Sequence, residues 1–424
     1  MKPGEKIRYF RKTQNMSQQD LAEGICSISY LSKIENGQAE ASNEIVLFLL
    51  NRLGKDLGDE QFQGDMAQKL QDWFYFMFAK KHEKAKQHYK ELSNEATIDV
   101  ELQIYYKSME TMFHLVSNIQ PEIVKQNIDD LTSIQEVIKN KNLLYFHLVK
   151  GVYNYTNKNY NDSYTYLKKV ENKMFEIQVS QWEKGYIYYL LGLVSSRLWK
   201  NMISLDYTRT ALKTFEELYE FNRCADCRIL LGIIYQRIES YSEAIKHLEL
   251  AESVADAFND NHLLGIVYQN LGYIESKKDN SVAAIELYQK SLFYKKEQAP
   301  VQQVATIFTL IEEYYKQGNS YDGLKMVEKG LELVDNDDSL LEYKYHYRFY
   351  YYVFHLGLDH EKTIEYLTDV VIPYFESKKK WVHLSELARI VGSYYEKKAK
   401  YKAANEYFHL TIMALQKISQ TEDL

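Results

Sequence analysis

Three Leu-Gly steps constrain this chain more than any other feature: Gly192, Gly232 and Gly272 stand forty residues apart, each preceded by leucine. Gly232 is followed by Tyr235, Ala244, Leu248 and Ala251, and Gly272 by Ala284 and Tyr288 at the same offsets. Small residues at fixed intervals allow two helices to cross closely, and the large ones between them fill the space to the next pair. A period of this length, with helical spacing inside it, is the pattern of a helix–turn–helix unit stacked into a solenoid. Ala404, Phe408 and Thr411 repeat it after Gly392. Gly151 with Leu167, Trp73 with Ala85 and Tyr89, and Thr363 with Leu367 are weaker copies.

The repeat starts at about residue 66 and amounts to about nine helix pairs. The second pair, near 101–137, is the least regular, and its second helix is expected to open at Pro121. Pro300 falls in a connection and Pro373 near a helix end. The run resembles the tetratricopeptide repeat. That resemblance implies a right-handed superhelix whose concave groove, lined by the first helix of each pair, holds an extended peptide. The glycine register points Arg197, Gln236, Gln269, Asn270, Glu312, Arg348 and Arg389 into this groove, with Tyr273, Tyr315 and Tyr352 on the same face. Asn270 is the preferred member, because one amide can bridge a strand's N–H and C=O.

The first residues have another logic. Ser17 to Gly37, SQQDLAEGICSISYLSKIENG, reads as two short helices joined by a tight bend at Gly24. Ser17 is a candidate N-cap, Leu21 and Ile25 follow at helical spacing, and Asn36-Gly37 stops the second helix. Within roughly 27–36, Leu31 and Ile34 point inward and leave Ser29, Tyr30 and Lys33 outward. This segment resembles the helix-turn-helix of Cro/CI-type repressors, with a leading helix (Gly4–Thr13, Ile7 and Phe10 inward) and a closing one (Ser42–Leu53). The likeness implies that Gln18, Gln19, Ser27, Ser29, Tyr30 and Lys33 face DNA, and that Arg8, Arg11 and Lys12 meet phosphates. Residues 1–60 carry eight Lys/Arg against nine Asp/Glu. So weakly charged a head needs a second copy to accumulate phosphate contacts.

With 424 residues, more than one domain is expected: 1–58 as the DNA-binding head, 59–65 as linker, 66–424 as the array. Lys55–Gln63, polar and glycine-bearing, is the candidate hinge. The net charge of −7 argues against unspecific nucleic-acid coating. Without an apolar span or a secretory core after Met1, and with three cysteines, the expectation is a cytoplasmic protein with no membrane partner. Cys224 and Cys227 form a lone C-x-x-C, one helical turn apart, read as packing. The eleven histidines, scattered from His82 to His409, show no ligand spacing. No nucleotide loop or nucleophile–base set is visible, so neither an enzyme, a metal nor a cofactor is expected.

An all-α chain joining a Cro-type head to such an array resembles the peptide-responsive Rap–NprR–PlcR–PrgX regulators of Gram-positive bacteria, in length most like the NprR type. The resemblance implies three partners: operator DNA, a short signalling peptide and a second copy of the chain. A sporulation-phosphorelay response regulator is a further one. A phage arbitrium-type peptide receptor and a Rap-like adaptor are the alternatives. For self-association, the run Tyr343–Phe354 and the helix Ala403–Ile418 offer apolar surface, most of it expected to be inter-repeat core.

Overall fold

The computed structural model describes residues 2–55, 60–93, 99–335 and 337–422, and the regular elements among them are helical. Two compact units divide the chain: residues 1–197 with 206–223, and 198–205 with 224–424.

The first unit begins with a four-helix head, α1 (Pro3–Thr13), α2 (Gln18–Ala22), α3 (Ile28–Glu35) and α4 (Asn43–Arg52). Ser17, Ser27 and Ser42 each accept a backbone N–H three residues on and so start α2, α3 and α4; Ser17 and Asp20 form a reciprocal capping box. Gly24, at φ 70°, makes the bend that the sequence placed there. Gly4 is required for a different reason. A Cβ on it would stand 1.9 Å from the Ile34 carbonyl oxygen, so only glycine lets α1 lie against α3. Ile7, Phe10, Leu21, Leu31, Ile34 and Leu49 close the core.

Four helix pairs follow in sequence: α5 (Glu60–Phe78) with α6 (His82–Leu92), α7 (Val100–Ser117) with α8 (Pro121–Ser133), α9 (Asn140–Thr156) with α10 (Tyr160–Met174), and α11 (Gln181–Arg197) with α12 (Asn201–Glu217). The expected linker is in part α5, which already runs from Glu60; residues 56–59, the middle of the Lys55–Gln63 segment, lie outside the described residues. Met66, Leu70, Trp73 and Met77, spaced four, three and four apart, give α5 one buried stripe. The head does not end in a core of its own. Val100, Ile104, Leu131, Ile134, Val137, Ile138 and Phe146, from α7 to α9, belong to the same apolar cluster as Ile7 and Leu31.

Next come α13 (Phe221–Arg237) with α14 (Tyr241–Ala257), α15 (Asn261–Lys277) with α16 (Ser281–Lys295), and α17 (Pro300–Lys316) with α18 (Ser320–Val334). The last two are α19 (Leu341–Leu356) with α20 (Glu361–Tyr366) and α21 (Ile372–Ser377), and α22 (Trp381–Lys397) with α23 (Tyr401–Glu422). Among the described residues the helices after the head thus group into nine pairs. A π-turn, Leu367–Val371, joins α20 to α21. It precedes Pro373, which has no N–H to return to Asp369, and the wider turn absorbs the missing bond where α21 begins.

The spaced glycines act as the repeat logic requires. A Cβ on Gly151, Gly232, Gly272 or Gly392 would approach within 2.7–2.8 Å the side chain sixteen positions on: Leu167, Leu248, Tyr288 and Phe408. Cys224 and Cys227 are buried, and no disulfide joins them. Tyr343, Tyr347, Phe349, Tyr350, Val353 and Phe354 enter two core clusters, so most of the aromatic run on α19 is interior. Most turns between array helices hold one residue at positive φ. Among the described residues only Gly318 and Gly357 of these are glycines; Lys158, Tyr219, Glu239, Lys379 and Ala399 take the left-handed conformation with a Cβ.

Candidate DNA-reading face and ligand face

On the head, α3 presents Ile28, Ser29 and Lys33 to solvent, with Gln19 of α2 beside them in sequence order and also exposed. The Ser27 hydroxyl caps the Tyr30 N–H at 3.2 Å, and the Tyr30 hydroxyl donates to the Glu40 carbonyl at 3.1 Å, so both are held by the head itself. Ile28, 48% exposed, is a further candidate on this face that the sequence did not single out. Its signal was there: an apolar residue directly after a capping serine, where packing of α3 does not need one.

The expected phosphate contacts are placed differently. Arg11 is not free for DNA. Its Nε and Nη2 donate to Glu35 Oε1 and Oε2 at 2.6 and 2.8 Å, and Nη1 donates to the Met16 carbonyl at 2.9 Å. Gln18 Nε2 donates to the same Glu35 carboxylate at 2.8 Å. Glu35 is 2% exposed, so this bidentate pair is an interior tie among α1, α2 and α3. Arg8 reaches Asn36 Oδ1 at 3.1 Å and pairs with Glu136, and Lys12 Nζ donates to the Ser133 carbonyl at 2.9 Å. Glu5 pairs with Lys139, and the Tyr9 hydroxyl donates to Gln103 Oε1 at 3.0 Å. The basic side of α1 therefore rests on the α7–α9 region of its own unit. Charge counting could not anticipate this, since Glu136 and Ser133 lie more than a hundred residues away.

In the second unit, first helices of successive pairs meet through polar side chains. Gln269 of α15 donates to Thr309 of α17 at 3.3 Å, and its Oε1 is buried with no protein partner. Glu312 of α17 is half-buried, and its carboxyl is pushed up to about 7, first by burial, then by the negative charge of Glu386 on α22; Lys316 and Lys277 oppose the shift. Tyr350 of α19 bonds to Glu312, and burial together with that carboxylate lifts its phenol well above the ordinary value. Tyr315 packs edge-on against Tyr350 and Phe354, with centroids 5.8 and 6.1 Å apart. Tyr273, exposed, lies under Lys277 Nζ at 5.4 Å.

Of the residues assigned to the groove, Gln269, Tyr273, Glu312 and Tyr315 belong to this face; Arg389, exposed, is one turn beyond Glu386 on α22. Three are placed otherwise. Gln236 is buried, donating to the Asn270 carbonyl at 2.7 Å, a tie between α13 and α15. Arg348 and Tyr352 lie on the far side of α19, where Arg348 senses Asp335 and Tyr366 and Tyr352 packs on Tyr366. The cause is helical phase. His346, Tyr350 and Phe354, spaced four apart, form the face of α19 that meets Phe308, Glu312 and Tyr315 of α17, and Arg348 and Tyr352, two positions from them, are turned away. Asn270 folds its amide back, its Nδ2 donating to the Ile266 carbonyl at 2.8 Å. Arg197, in the first unit, donates from Nε to the Tyr155 hydroxyl at 3.2 Å.

Residues 7–59 match a helix-turn-helix family. Over 408 residues the chain is 32% identical to the transcriptional activator NprA of Geobacillus stearothermophilus, spanning 93% of this chain and 99% of that protein. The chain belongs to the Rap–NprR–PlcR–PrgX family. Solved members share the fold. The apo quorum sensor NprR of B. thuringiensis superposes with a TM-score of 0.72 at 19% identity, over 84% of this chain and 99% of that one. NprR in complex with its cognate peptide NprX gives 0.64 at 22% identity, over 83% and 99%. An all-α fold, with a helix-turn-helix head followed by tetratricopeptide-type pairs, is thus common to the family and this chain. No helix among the described residues is long and apolar enough to cross a membrane.

Proposed function

We propose that this protein is a transcription regulator that acts in the cytoplasm by binding, not by catalysis. It reads a two-fold operator through paired heads, and a short signalling peptide on the array controls its oligomeric state and DNA affinity. The observation that carries this reading is the solvent-facing side of α3. A capped, rigid helix offers Ser29 and Lys33 as hydrogen-bonding groups and Ile28 as an apolar contact, the chemistry that reads base edges and thymine methyls in a major groove. The relative NprA is a transcriptional activator and NprR a quorum sensor, which supports the same role here.

One head offers few phosphate contacts, and Arg8, Arg11 and Lys12 are engaged within the protein, so useful affinity depends on two heads at a fixed spacing. A peptide shifts that spacing only through its differential affinity for two arrangements. Gln269, Glu312, Tyr315 and Tyr350, with the acceptor of Asn270, are the groups assigned to it: amide and phenol for the peptide backbone, carboxylate for a cationic group.

The test is fluorescence anisotropy on operator DNA selected from a random pool, with native mass recorded in parallel, with and without synthetic penta- to octapeptides from small exported open reading frames beside the gene. Specific DNA binding that Lys33→Ala weakens at least about tenfold, and that one peptide modulates along with the mass, is the expected result. Binding to no selected sequence, or equal binding by Lys33→Ala, overturns the reading.

A further inference from the structure

Glu342 and His346 sit four residues apart on α19 and so share one face; His383 comes from the first turn of α22. One ligand atom from each of the three lies within 4.8 Å of the others. Glu342 Oε1 and His383 Nε2 are 3.4 Å apart. A tetrahedral ion with bonds of about 2.0–2.1 Å sets neighbouring donors about 3.3 Å apart, so this pair already has the spacing of two ligands on one metal.

His346 is the second observation. It is 5% exposed, and its Nε2 has no protein partner. Its ring is wedged between Phe308 and Phe375, at centroid distances of 4.6 and 4.9 Å, and meets His383 at 4.7 Å. A buried acceptor without a donor is costly unless something fills its lone pair. Lys380 Nζ holds the other oxygen of Glu342 at 2.8 Å, which aims Oε1 at His383 as an outer-shell partner would. Sequence spacing gave no sign of this group, because its two imidazoles come from helices thirty-seven residues apart.

We propose that Glu342, His346 and His383 bind one divalent transition metal ion of the zinc class. Two imidazoles and one carboxylate suit Zn(II) and Co(II), and do not suit Ca(II) or Mg(II), which take oxygen ligands. Glu342 and His383 are 23% and 32% exposed at the side chain, so the fourth position faces solvent. The ion ties α19 to α22, the first helices of the last two pairs, one turn before Tyr350 and Glu386 on the ligand face.

Full-length protein, stripped with chelator and dialysed, is titrated with Co(II) and then Zn(II), following visible absorption and thermal unfolding. The expected result is one Co(II) per chain with tetrahedral d–d bands, displaced by Zn(II), and a higher melting temperature with metal. His383→Gln and Glu342→Gln each lose stoichiometric binding and keep the metal-free melting temperature; Glu342→Gln alone decides the matter where His383→Gln does not fold. Absence of stoichiometric binding, or binding equal in both variants, overturns the proposal. Capture of the ion by Cys224 and Cys227 is recognised by thiolate charge-transfer absorption that survives His383→Gln, and it overturns the proposal too.

Discussion

Arg11 with Glu35 in the head and Glu312 with Glu386 on the array show two opposite uses of charge in helical packing. In the head the Arg11 guanidinium meets the Glu35 carboxylate at hydrogen-bonding distance, with Glu35 enclosed and Arg11 largely so. At the ligand face two carboxylates crowd one another across helices, relieved in part by Lys316 and Lys277, and one of them is held near half ionisation at neutral pH. A satisfied pair fixes geometry and has nothing left to offer. A group held out of its ordinary ionisation is ready to gain from a partner that brings the missing charge. The first arrangement suits a reading head that must stay rigid; the second suits a surface meant to be occupied.

Removing one half of the satisfied pair is the harshest way to break this contrast. Glu35→Ala leaves the partly buried Arg11 without its counter-ion and is expected to destabilise the head by up to about 3 kcal/mol, read by urea unfolding and by hydrogen exchange of α1–α3. The double variant Arg11→Met, Glu35→Leu is expected to recover most of that loss; no recovery means that the pair supplies net stability.

The ligand face gives an effect of opposite sign. Because the Glu312 carboxyl is raised from 4.5 to about 7 in the folded state, its contribution to stability is fully present below pH 4.5 and is lost as pH climbs through about 7. Glu312→Gln is expected to flatten that part of the pH–stability curve and to leave the protein more stable at pH 8, by at most about 3 kcal/mol. The carboxylate faces Glu386, Glu313, Lys316, Lys277 and Tyr350, so a peptide with a cationic group is expected to bind more tightly as pH rises through 7. Calorimetric titration at pH 6 and 8 checks this, and equal affinities remove Glu312 from the site.

The mildest change sharpens the account of α1. Glu136→Ala releases Arg8 from an exposed pair, at a stability change of at most about 1 kcal/mol. It is expected to steepen the salt dependence of operator binding by about one unit of log–log slope. An unchanged slope means that Arg8 does not reach phosphate.

The fold was largely legible in the chain. Serines at 17, 27 and 42 start helices by capping, and a glycine facing a large residue sixteen positions on marks the close crossings at Gly151, Gly232, Gly272 and Gly392, because both signals act over short sequence distances. The ligand face was legible only as far as the register persisted. Gln269, Glu312 and Tyr315 of the proposed face follow the glycine spacing, whereas on α19 the residues that meet α17 are Tyr350 and Phe354, two positions from Arg348 and Tyr352. The engagement of Arg8 and Lys12, and the meeting of His346 with His383, depend on tertiary neighbours that no local pattern encodes.

The left-handed turn residues have a further consequence. Glu239, Lys379 and Ala399 hold a conformation that asparagine or glycine adopts with less strain, and none is among the residues proposed to meet a ligand. Interactions in such a stack are made mostly with the adjacent pair, so the gains from replacing well-separated turns add. The thermal endurance of this protein can therefore be set in small steps, turn by turn, with the proposed ligand residues left as they are.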